Sequence, residues 1–81
     1  MSKHHYKIEV ADEDRNVIDD AEVFAATLND ALAQTYSEVD SAYIEVYGPS
    51  VAEWMQVRLT NTTTGKRSRW YTVDALGKVA A

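Results

Sequence analysis

The sequence predicts an α+β fold: one helix packed on one face of a four-stranded, mainly antiparallel sheet, in the order strand, helix, strand, strand, strand. Three observations predict it. Apolar and polar residues alternate within 6–10, 42–47, 54–59 and 68–73, the period of strands covered on one side only. Between the first two of these, Phe24, Leu28, Ala31, Leu32, Thr35 and Val39 recur at helical spacing, as in a helix lying on a sheet. Turn formers, Gly48-Pro49-Ser50 and Thr63-Thr64-Gly65, separate the later strands.

The first strand places Tyr6, Ile8 and Val10 on one side and Lys7 and Glu9 on the other. The polar run at 12–16 is a turn, and Val17 and Ile18 read either as a short returning strand or as an apolar lead into the helix. Asp19 followed by Glu22 has the spacing of a capping box, and carboxylates suit the positive end of the helix macrodipole, so the helix is predicted over residues 20–37. The second strand sets Ala42, Ile44 and Val46 against Tyr43, Glu45 and Tyr47. If it lies parallel to the first, the crossover between them is right-handed. Ser50 and Glu53 have the spacing to cap a single helical turn before the third strand, where Met55, Val57 and Leu59 oppose Trp54, Gln56 and Arg58.

A three-residue loop with Gly65 in the left-handed position joins the third and fourth strands as a hairpin. Thr62 then faces Lys66, Val57 faces Tyr71 and Met55 faces Val73 on the inner side, and Arg58 faces Trp70 on the outer side. The small residues of 75–81 are expected to form a flexible tail. The whole chain, 1–81, is expected to be one domain with a small core, since a chain of this size hides only about 60–65% of its unfolded surface.

Charge divides the chain. Residues 1–54 hold twelve Asp or Glu against Lys3, Lys7 and Arg15, a net of -9, whereas 55–81 hold Arg58, Lys66, Arg67, Arg69 and Lys78 against Asp74, a net of +4. With no cysteine there is no disulfide framework, thiol nucleophile or thiolate metal site, which fits a reducing compartment. No apolar stretch is long enough to cross a bilayer or to serve as an export signal, so a cytoplasmic protein is expected.

The uncovered sheet face is expected to display Lys7, Glu9, Tyr43, Glu45, Tyr47, Trp54, Arg58, Trp70 and Thr72. Large aromatics beside an arginine are enriched at interface centres, because they bury much area at little entropic cost. The bland alternative is cross-strand stiffening, with Arg58 over Trp70. Lys66, Arg67 and Arg69 gather at the hairpin tip, and with Arg58 they are the contacts if single-stranded nucleic acid stacks on the aromatics. Glu9 and Glu45 on the same face, the acidic balance and the absence of a ribonucleoprotein consensus oppose that reading.

Asp12, Glu13, Asp14, Asp19 and Asp20, with Glu22 and Asp30 on the helix face, offer carboxylates that can mimic nucleic-acid charge toward a basic groove, with a solvated loop and a helix cap as the bland reading. Asp12, Asp14 and Asn16 begin like a calcium loop, but Val17 stands where glycine is needed and Val23 where a bidentate glutamate is needed, so no calcium is expected. His4 and His5 are adjacent in a strand, point to opposite faces, and read as exposed terminal residues rather than metal ligands. No catalytic triad, phosphate-cradling glycine loop or paired carboxylates are visible, so no cofactor and no enzymatic activity are expected.

In size, acidity, lack of cysteine and element order the chain resembles small phage-encoded inhibitors of bacterial defence, the anti-CRISPR proteins. The resemblance implies a non-enzymatic blocker in the host cytoplasm that occupies a protein or ribonucleoprotein complex by steric occlusion or by charge mimicry. It transfers no functional residue. The alternatives are a small single-stranded nucleic-acid-binding module and a self-associating structural protein, monomer and homodimer both being open, with no membrane partner.

Overall fold

The structure, a computed structural model, describes residues 3–80. It is α+β, with strands β1 (His4–Ala11), β2 (Val17–Ala25), β3 (Gln56–Asn61) and β4 (Tyr71–Thr72) and helices α1 (Leu28–Val39), α2 (Glu45–Tyr47), α3 (Val51–Trp54) and α4 (Val73–Ala80). A π-helical segment, Asp40–Ile44, joins α1 to α2 without a break. The strand order is β2-β1-β3-β4, and every neighbouring pair is antiparallel.

The predicted first strand is present, and Tyr6, Ile8 and Val10 are buried as its alternation requires. The element order differs from the expected one in two places. Residues 19–25, read as the start of the helix, belong to β2, which pairs with β1 from His4 opposite Ala25 to Ala11 opposite Val17. Asp19 and Glu22 therefore cap nothing. The helix begins later, where the Thr27 Oγ1 accepts from the Asp30 backbone N–H at 3.2 Å and satisfies one of the first-turn donors. Its buried stripe is Ala31, Leu32, Thr35 and Val39, whereas Phe24 lies exposed on β2 and Leu28 is 40% exposed at the helix start. The buried Thr35 hydroxyl donates to the Ala31 carbonyl at 2.7 Å, so its polarity is satisfied within the helix.

The second correction concerns 42–47, expected as a strand. It continues the helix, and no parallel crossover exists among the described residues. Extending an existing helix adds one hydrogen bond per residue fixed, without a new nucleation cost, and Tyr43, Ile44 and Tyr47 satisfy three- and four-residue spacing as well as strand alternation. Tyr43 and Ile44 pack partly buried against the core. Gly48, at φ 103° and ψ 164°, ends this helix in a conformation open to glycine alone.

A single helical turn, α3, does follow Ser50, but the Ser50 side chain makes no capping bond; the turn is closed by the backbone, from Glu53 N–H to the Ser50 carbonyl at 3.1 Å. The next strand follows its sequence pattern, with Met55, Val57 and Leu59 all buried. The hairpin register is as read at its base, where Val57 faces Tyr71 and the Val73 N–H reaches the Met55 carbonyl. At the tip the register slips by one, so that Thr60 bridges Arg67 and the Asn61 N–H bonds the Lys66 carbonyl. Gly65 takes φ 75°, the left-handed value the loop needs.

The predicted fourth strand is only two residues long. Thr72 stops it, because its hydroxyl accepts from the Ala75 N–H at 3.2 Å and starts α4. The segment expected as a loose tail thus forms a helix to Ala80 that packs against α1 and seals Leu76 and Val73 into the core. Ala81, also assigned to that tail, lies outside the described residues. All the helices cover one sheet face, and the other carries Lys7, Glu9, Glu22, Phe24, Arg58 and Trp70. No helix among the described residues is long and apolar enough to cross a membrane.

Candidate functional site

The structure divides the expected sheet-face site into separate places. Tyr43, Glu45, Tyr47 and Trp54 leave the open sheet face because their segments are helical. Three of them meet elsewhere. Tyr43 and Tyr47 stand one helical turn apart, ring centroids 6.3 Å apart and planes within 27°, at the C-terminal end of the long helix. After the Gly48 reversal, α3 brings Trp54 and Val51 alongside, and Ile18 of β2 closes the other side, giving an open cleft of about 420 Å³.

Several apolar side chains here are exposed. Tyr47 is 70% exposed, Ile18 52% and Trp54 38%. Tyr43 is held in place by its hydroxyl, which donates to Asp19 Oδ2 at 2.5 Å. The Tyr43 bond, together with the Asp20 backbone N–H, holds the Asp19 carboxyl below its usual range. Partial burial, then the hydrogen bond and charge of Asp19, push the Tyr43 phenol up to about 12. A carboxylate and a neutral phenol therefore coexist across the ordinary pH range.

Arg58 and Trp70 remain on the open face, as read from the sequence. The guanidinium lies 4.5 Å from the Trp70 ring centroid and donates to Glu9 from Nε and Nη2. Its charge and one face are committed within the molecule. Lys66 and Arg67 line a second cleft, also about 420 Å³, with His4, Tyr6, Leu28 and Asn61. Arg69 stands apart from them, 5.0 Å over the Tyr71 ring.

Asp12 is occupied as a turn former, with its Oδ1 accepting from the N–H groups of Asp14 and Asn16 at 2.9 Å each. Glu13 and Asp14 are exposed, and the Glu13 carbonyl accepts from the Gln56 amide at 3.2 Å. His4 and His5 are half-buried strand residues rather than free terminal ones. The His5 ring bridges Thr62 Oγ1 at 2.8 Å and Glu22 Oε2 at 2.6 Å.

Sequence reasoning missed Ile18 as a site residue, although an isoleucine within a polar turn region was the available signal. It also missed His5 and Glu22, which pair only once β1 and β2 are known to be neighbours. Among the described residues no group of three or more His, Cys, Asp or Glu side chains is placed to hold a metal ion. No family model, no curated protein and no solved structure matches the chain.

Proposed function

We propose that this chain is a non-enzymatic binding protein that docks on a larger protein or ribonucleoprotein through the cleft of Ile18, Tyr43, Tyr47 and Trp54. One observation carries the reading: aromatics from two separate segments converge on one open cleft, where Tyr43 is anchored to the core and to Asp19 while Tyr47 and Trp54 stay exposed. Exposed apolar clusters of this kind mark interaction sites, and Trp and Tyr are the side chains that most often dominate binding energy. The open sheet face supports the reading less, since Arg58 is already committed to Glu9 and Trp70.

The likeness to anti-CRISPR proteins rested partly on element order, and the order observed is different. Size, acidity and the absence of cysteine remain, and on those a blocking role against a host complex is the proposed form of the activity.

The test is affinity capture from a host lysate with mass spectrometry, with and without nuclease. A partner held by the wild type is expected to be lost from Tyr47→Ala and Trp54→Ala and kept by Trp70→Ala. Loss from Trp70→Ala alone would move the contact to the sheet face.

A second reading rests on Lys66 and Arg67 sharing a cleft with the partly exposed His4, which suits a phosphate backbone beside a stacking ring. Affinity for single-stranded nucleic acid would then fall steeply with salt and with each cation removed.

A further inference from the structure

The aromatic residues of this protein are treated in two ways. In the basic part of the chain, Trp70 is covered by Arg58 at 4.5 Å and Tyr71 by Arg69 at 5.0 Å. Tyr43, Tyr47 and Trp54 form no such contact among the described residues. The segments that build their cleft, 17–20 and 40–54, carry Asp19, Asp20, Asp40, Glu45 and Glu53 and not one lysine, arginine or histidine. None of the side chains lining the cleft is cationic.

We propose that the cleft receives an arginine side chain from a basic, extended segment of a protein partner, with the guanidinium lying on the Tyr47 and Trp54 rings and the flanking carboxylates facing the segment's other charges. This deepens the binding reading above and rests on it. A guanidinium is planar and weakly hydrated, so it lies flat on an aromatic face with less desolvation cost than an ammonium. The ring face carries the negative part of the aromatic quadrupole. The Tyr43 hydroxyl donates to an ionised carboxylate, which leaves that ring richer in electrons than a free phenol. Ile18 and Val51 supply apolar wall for the methylene stem of the arriving side chain. Charge complementarity favours a basic partner over an acidic one, because no cation lines the cleft, the Asp19 carboxylate stands on the Tyr43 hydroxyl, and the segments that form the cleft are acidic in sequence.

The test uses two acetylated, amidated pentapeptides, Ala-Arg-Ala-Arg-Ala and the same chain with citrulline for arginine, which keeps the shape and removes the charge. Binding to the intact protein is read by NMR shifts of the tyrosine rings and the Trp54 indole. The arginine peptide is expected to bind about two- to thirtyfold more tightly, the range a cation on an aromatic face supplies. Its shifts should fall on Tyr43, Tyr47 and Trp54, and Glu53→Gln and Tyr47→Ala, both at exposed positions, should each weaken it.

Equal binding of the two peptides would overturn the proposal while leaving the cleft as an apolar contact surface. Shifts confined to Trp70 or to the 12–14 turn would overturn it also. Absence of binding by either peptide to millimolar concentration would sink the arginine assignment. The lysate capture with Tyr47→Ala separately decides whether the cleft is the docking surface at all.

Discussion

Arg58 donates twice to Glu9 Oε1, at 3.1 Å from Nε and 2.9 Å from Nη2, while its flat face lies 4.5 Å from the Trp70 ring. Two neighbouring strands and the hairpin's return arm are thereby tied across the open sheet face. Both charged side chains keep about a fifth of their surface exposed, so the pair contributes modestly. Arg58→Ala should cost about 1 kcal/mol in urea unfolding, and a double-mutant cycle with Trp70→Ala should return a coupling of about 0.5–1 kcal/mol. A coupling of zero would mean that the ring and the guanidinium act independently.

Core substitutions should follow burial rather than the helical stripe read from sequence. Leu32 and Leu76 have almost no exposed surface, so each Leu→Ala change should cost about 2–5 kcal/mol. Leu28, 40% exposed, should lose no more than about 1 kcal/mol on the same change. The Leu76 result has the further value of testing α4: a chain ending at residue 72 should fail to unfold cooperatively.

The bond between Tyr43 and Asp19 predicts a pH signature with two limbs. The Asp19 carboxyl sits below its ordinary value of 3.8 in the folded state, so its contribution is present above that pH and disappears as pH falls through the lower folded value. Tyr43 is raised from 10.0 to about 12, so its contribution is complete below pH 10 and lost as pH climbs toward 12. Thermal unfolding of Tyr43→Phe against wild type should show a constant difference from pH 5 to pH 9 that shrinks at both extremes. A difference that persists at pH 12 would show that the hydroxyl bond is not its source.

Gly48→Ala should strain the reversal between the long helix and α3, since φ 103° is closed to other residues at a cost of about 1–3 kcal/mol. No neighbour lies within 4 Å of the added methyl, so the effect would come from the backbone alone. The same change should disturb the distance between Tyr47 and Trp54, visible as altered Trp54 fluorescence.

What the sequence shows most legibly is sheet geometry that depends on local alternation. Strands β1 and β3, the Val57–Tyr71 register, the Arg58–Trp70 pair and the left-handed Gly65 all follow from period and turn chemistry. The failures share one cause: patterns that satisfy two periods at once. In β2 the inward residues are Ala21, Val23 and Ala25, two of them too small to mark a strand, while Asp19 and Glu22 imitate a helix cap. In 42–47 the alternation that suggested a strand is outweighed by the helix already running into it. Thr27 and Thr72 were the local signals for the true helix starts. The site's residue types were legible, but their meeting was not, since Tyr47 and Trp54 come together only through a helix and a glycine reversal that the strand reading removed.

β2 lies at the border of the sheet with its outer backbone unpaired within the sheet, is nine residues long and carries the exposed apolar side chains of Val17, Ile18 and Phe24. Such a border invites stacking of like molecules into fibrils. A twin strand laid antiparallel about Ala21 would bring Asp20 against Glu22 twice, and like charges directly opposite repel. Asp20 and Glu22 are thus expected to act as a guard against accretion. Asp20→Asn with Glu22→Gln should lower the concentration at which light scattering first rises, whereas an unchanged threshold would place that guard elsewhere.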